Sequence, residues 1–207
     1  MRSAAVIVLA AVVPALTPSL AAAYDVAWYQ ASFWGGEYPN GFSVTGPTIV
    51  AARFEPDPET PASIECLLPM GAVYHPWNHD RVEADLLTFV SFTRKQPYTL
   101  DADLGLTVYT EEGDDVALDL AAGDTWTYLT YLGEGAFLMD YAGATYVGDQ
   151  ALFEISSANG EAETHEWLRL ICGNGESGWL LLDEIMPLPT IGEPNIVTYG
   201  EARDLGE

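Results

Sequence analysis

Basic residues are scarce. The 207-residue chain holds 7 Lys and Arg against 31 Asp and Glu, a formal charge of −24. Nucleic-acid binding depends on Lys and Arg neutralising phosphates, so nucleic acid is excluded as a partner, and an anionic membrane surface is excluded on the same ground. Lys95, the one lysine, adjoins Arg94 but makes no basic patch. Long apolar runs are missing beyond the first residues, which excludes an integral membrane protein built on helices. A sustained helical period is missing too, which excludes a helical bundle. There is no Gly-x-Ser-x-Gly elbow for nucleophilic catalysis. The Gly-Glu-Gly at 133–135 is too short, and too close to acid, to cradle a phosphate. No cofactor is implied.

What is present points to an exported all-β protein. Arg2, the apolar run 4–16 and the small residues 21–23 form a signal-peptide pattern over 1–23, with a mature chain expected from Tyr24. A retained anchor is the alternative, but the run is short for a span. The expected compartment is periplasmic or secreted. In that compartment Cys66 and Cys172 have one possible pairing, a disulfide closing a loop of about 105 residues and worth about 3–5 kcal/mol in the chain-entropy account. Two buried free thiols are the alternative. The acidic surface is read mainly as solvation, with charge repulsion favouring a monomer.

Hydrophobic residues make up 49% of the chain and aromatics 12%, enough for a folded core and rich in strand formers. Gly and Pro punctuate at short intervals, and the runs between them read as strands: 48–54, 64–68, 72–75, 87–94, 106–110, 116–120, 125–132, 136–141 and 144–147, with a helical turn near 149–153. The stretch 166–185 reads as strand, tight turn, strand. Asn174-Gly175 matches a type I′ turn, whose two central residues both take positive φ. Residues 64–74 and 116–126 form a loose internal repeat of strand, spacer, Gly, strand.

Trp167 opening one strand and Gly178-Trp179 opening the next resemble the closing hairpin of a bacterial SH3-like domain. The strand, Leu-x-x-Gly turn and strand of 64–74 and 116–126 are similar to the same family, as are Arg53 and the Pro-containing loop after it. The resemblance covers roughly 46–185, patchily, and is weakest over 76–104. The first unit lacks its own Trp…Gly-Trp hairpin, which leaves two arrangements open. Two barrels lie in tandem with 166–185 appended, or an outer barrel (46–103 and 166–186) encloses a second (104–155). Cys66 and Cys172, each on a core-facing side of its strand, favour the nested arrangement, in which their bond would staple the outer barrel. An aromatic lead-in (24–45) precedes it, its rings expected to pack on the body, with a surface for sugar rings or peptide as the alternative, and an extended acidic tail (187–207) follows.

The resemblance implies a non-enzymatic binding module for cell-wall glycan or peptide. Trp77, Trp126, Tyr128, Tyr131, Trp167 and Trp179 are the candidate ligand-facing aromatics, although closing-hairpin tryptophans tend to half-bury. His75, His79, Asp80 and His165 are ligand types that could hold Zn²⁺, making an envelope hydrolase one alternative. However, the His-x3-His spacing suits a helix, and Pro76 argues against a helix across it. The acids at 111–115 could meet Ca²⁺, but their order does not match an EF-hand loop. A third reading is an acidic docking partner of another exported protein.

Overall fold

The computed structural model describes residues 24–32, 41–76, 78–194, 196–197 and 201–202. The signal-peptide reading of 1–23, the aromatics Phe33, Trp34 and Tyr38, and Trp77 lie outside them, as does the side chain of His79. Among the described residues no helix is long and apolar enough to cross a membrane.

The fold is all-β. In chain order the first elements are β1 (Trp28–Ala31), β2 (Phe42–Val44), β3 (Thr48–Ala52), β4 (Ile64–Leu68), β5 (Val73–Tyr74), α1 (His79–Glu83) and β6 (Leu87–Arg94). There follow β7 (Gln96–Leu100), β8 (Leu104–Tyr109), β9 (Asp115–Leu120), β10 (Thr125–Gly133), β11 (Ala136–Tyr141), β12 (Ala144–Gly148), α2 (Ala151–Glu154) and β13 (Ser156–Ser157). The chain continues through β14 (Thr164–Ile171), β15 (Ser177–Leu181), α3 (Leu182–Ile185), β16 (Ile191–Gly192), β17 (Ile196–Val197) and β18 (Glu201–Ala202).

Alternation decides the faces. In β3 and β4 every second residue is buried, so Val50, Ile64, Cys66 and Leu68 point to one core while Ile49 and Leu67 stand outside. β6 is buried on both faces, as expected of a strand central to its sheet: the order there is β1-β6-β14-β15, all antiparallel. Leu87 and Phe89 face the first core, Val90 and Phe92 a smaller one.

Two large buried clusters result. The first joins both ends of the body: Phe42, Val50, Leu68, Tyr74 and Leu87 pack with Leu168, Leu170, Leu180 and Ile185. Cys66 and Cys172 are bonded within it, their Cα atoms 5.1 Å apart. The second cluster comes from the chain between, with Leu100, Val108, Leu120, Trp126, Phe137, Met139 and Leu152 at its centre. The seven-stranded sheet β13-β7-β10-β11-β12-β8-β9 curls around it as a half-barrel.

Three expectations need correction. The 172–176 turn is not type I′. Gly175 alone has positive φ (85°), its N–H donates to the Cys172 carbonyl and the Cys172 N–H to the Glu176 carbonyl. That is a three-residue loop, a type I turn closed by a left-handed glycine. Tethering explains the choice, because the Gly173 N–H donates to the Leu67 carbonyl and the Asn174 side-chain amide to the Glu65 carbonyl, holding the turn against β4. The paired positive φ of a type I′ turn occurs instead at Glu134-Gly135 and Ala142-Gly143. Second, the strand after Trp179 ends at Leu181, and α3 folds Leu182 and Ile185 into the first core. Third, the segment after 187 is not simply extended. Leu188 and Ile191 pack on the first core and β16 pairs with β2.

The internal repeat has a structural counterpart. The hairpins β3–β4 and β8–β9 each lead into a four-residue turn, 69–72 and 121–124, closed by the same i to i+3 hydrogen bond. The third turn residue is a glycine of positive φ in both, Gly71 (82°) and Gly123 (90°), as a type II turn requires.

Strand β7 falls where no strand was expected. Pro97 lacks an N–H and argues against a central strand. The register resolves this: Pro97 opposes Thr127 on β10, while β13 reaches only Thr99 and Leu100, so the proline stands at a locally free edge.

Candidate functional site

Two constellations combine polar and aromatic groups. The first lies on the outer face of the four-stranded sheet. Tyr24 stacks on Phe92 with ring centroids 3.7 Å apart and planes within 3°. The Trp167 indole N–H, which can only donate, bonds the Tyr24 hydroxyl at 2.8 Å. The same hydroxyl lies 2.9 Å from His165 Nδ1, and His165 Nε2 lies 3.2 Å from a Glu163 carboxylate oxygen. The arrangement that satisfies every group has the Tyr24 O–H donating to Nδ1 and the Nε2 proton facing Glu163. Burial pushes the Tyr24 phenol up to about 12, opposed by the Trp167 hydrogen bond and aided by the charges of Asp57 and Glu163. The aromatic lead-in thus docks through Tyr24 and Trp28 rather than offering them to solvent.

Arg53 abuts this cluster. Its guanidinium lies 5.5 Å from the Trp167 ring centroid and is held by Glu184 through two hydrogen bonds of 2.8 and 2.7 Å, while its Nε–H donates to the Thr60 carbonyl. The bidentate pair ties the end of β3 to α3. It holds the Glu184 carboxyl below its ordinary value of 4.5, burial acting the other way. A lowered carboxylate contributes stability that is complete above that ordinary value and lost as pH falls through the folded value. Urea midpoints measured between about pH 3 and 6 should therefore decline on the acid side, and Glu184→Gln should flatten that decline. An unchanged profile in the variant would show that the pair is energetically idle.

The second constellation lies on the inner face of the half-barrel. Trp126 is fully buried, donates through its indole N–H to the Ser156 hydroxyl at 3.0 Å and stacks on Tyr98 at 4.6 Å. Tyr128 is half-buried, with its ring centroid 5.9 Å from Phe153, and burial, with Tyr98 and Tyr131 adding to it, pushes its phenol up to about 12. Tyr131 is exposed at the rim, and its hydroxyl accepts the Gly135 N–H at 3.1 Å.

The sequence-derived candidates separate accordingly. Trp126 and Trp167 are core residues with satisfied indoles; Tyr128 and Trp179 are half-buried; Tyr131 is exposed. His75 is buried at the end of β5, whereas His79 and Asp80 belong to α1, which starts after Pro76, so the His-x3-His spacing does not lie on one helix. His165 is engaged by Tyr24 and Glu163. Among the described residues no group of three or more His, Cys, Asp or Glu is placed to hold a metal ion. Tyr24, Tyr98 and Glu184 were not legible as site residues, since each acquires its role from a partner 28 to 143 positions away. Arg53, a lone cation at a strand end, was the available signal.

Fold and sites define an all-β protein with two large buried cores, a smaller one beside them and a disulfide inside the first. No protein-family model, curated protein or solved structure matches the chain.

Proposed function

We propose that the chain is an exported, non-enzymatic SH3-like binding module of the bacterial envelope, with cell-wall glycan or peptide as its ligand. The observation that carries the reading is the inner-face aromatic strip of the half-barrel, which runs from the buried Trp126 through Tyr128 to the exposed Tyr131. Such a strip anchors its inner end in the core and offers its outer end to a ligand. The buried disulfide fits an oxidising compartment.

The test is a pull-down on purified peptidoglycan sacculi, with an unrelated protein of similar net charge as control. Retention above the control is the expected result, and retention no better than the control removes the reading. The formal charge of −24 favours a second reading, docking to a basic exported protein; capture of such a protein without sacculus retention would select it.

A further inference from the structure

Tyr128 and Tyr131 stand three residues apart on a strand, a spacing that ordinarily places side chains on opposite faces. A bulge cancels the difference. Tyr128 opposes Met139, Thr130 opposes Leu138 and Tyr131 opposes Phe137, with the register shifting between Tyr128 and Thr130. Met139 and Phe137 both belong to the second core, so Tyr128 and Tyr131 face the same side. Bulges recur where a side chain must be re-aimed at a working site. Tyr98 joins the strip from β7, opposite Trp126, and Phe153 floors it, 5.1 Å from Tyr98 and 5.9 Å from Tyr128. The rim is thus two half-buried phenol rings, Tyr98 and Tyr128, and the exposed ring of Tyr131 over an aromatic floor.

Its electrostatics are one-sided. Glu161 acts on the Tyr98 phenol, whose burial and that charge both favour the neutral form. Glu134 lies in the 133–136 turn whose Gly135 N–H meets the Tyr131 hydroxyl. Lys95, the nearest cation along the chain, lies outside β7, in the link between β6 and β7. Aromatic faces attract cations through the ring quadrupole, more so beside uncompensated carboxylates.

We infer that the Tyr98–Tyr128–Tyr131 rim is a binding site for an alkylammonium group, as carried by a lysine side chain of a basic peptide. The ammonium lies over the solvent-facing parts of these rings, of which Tyr131 is the exposed one, and Glu161 balances its charge. The inference rests on the reading of the chain as a binding module and adds the charge class of the ligand.

The experiment titrates the disulfide-intact protein at low salt with pentalysine, with pentalysine acetylated on every side chain, and with n-butylammonium. Binding is followed by calorimetry. Pentalysine should bind, the acetylated peptide should not, and added salt should weaken the complex. Tyr131→Ala and Glu161→Gln should each weaken binding about five- to tenfold, while Glu176→Gln, in the 172–176 turn, should not. Circular dichroism verifies that each variant is folded. If n-butylammonium matches pentalysine, the ammonium site stands and a free amine is its source. Absence of pentalysine binding overturns the inference. So does an affinity that a folded Tyr131→Ala leaves unchanged, or that Glu176→Gln lowers as much as Glu161→Gln, since general acidity then explains it. Sacculus retention without pentalysine binding removes this inference alone, and pentalysine binding without retention removes the envelope reading alone.

Discussion

Replacing Cys66 and Cys172 together by alanine is expected to lower the unfolding free energy by about 3–5 kcal/mol. The bond spans 106 positions, so its loss frees a long loop in the unfolded chain, and both residues are buried in the first core. The two hairpins it joins already touch: β3 meets β15 at the Arg53–Trp179 bridge, and Gly173 meets the Leu67 carbonyl. The native geometry should therefore survive the double replacement, leaving the unfolded-state entropy as the main loss. Denaturant midpoints of the double variant and the parent, under non-reducing conditions, measure it. A loss under about 1 kcal/mol would mean that packing between β4 and the 172–176 turn closes the core without the bond. The packing of the second core should feel the change less, because its central residues come from one continuous stretch, Leu100 to Leu152, and none of them touches the bond.

The second large effect is expected at Trp126. Trp126→Ala should cost about 3–5 kcal/mol, since it empties a fully buried indole site and leaves the Ser156 hydroxyl without its donor. Tyr98 and Phe137 stack on that indole at 4.6 and 5.3 Å, so the loss spreads through the aromatic floor. Tyr131→Ala, five residues away at the rim, should cost about 0.5–1.5 kcal/mol, chiefly the hydrogen bond from the Gly135 N–H. Chemical unfolding of the two variants separates a core aromatic from a solvent-exposed one on the same face of one strand. Equal costs would contradict the burial gradient on which the functional reading depends.

That pair of residues shows how far sequence reading reached. The strands β4, β6 and β11 were legible to the residue because period-2 alternation is a local property. So were the all-β class and, from the cysteine count and the export pattern, the disulfide. Strand β7 was hidden by Pro97, whose cost depends on whether a neighbour needs the missing N–H, and that neighbour, β13, lies more than fifty residues on. Asn174-Gly175 was read for its own preference, whereas the contacts of Gly173 and Asn174 with β4 selected another turn.

The candidate aromatics divide along the same line. From residue types alone Trp126, Tyr128 and Tyr131 are equivalent, and the closing-hairpin position of Trp167 and Trp179 implies only that they half-bury. Burial and register sorted them, and the bulge in β10 brought Tyr131 to the inner face against simple alternation.

Alternation, charge balance and cysteine count act between near neighbours or over the whole composition, so the chain's residues determine them without reference to the fold. They sufficed for an acidic all-β protein with one disulfide. Tertiary structure alone decided which ends share a core, which tryptophans are walls, and which phenols reach solvent. Each of those depends on contacts between residues far apart in the chain, whose pairing no local pattern encodes.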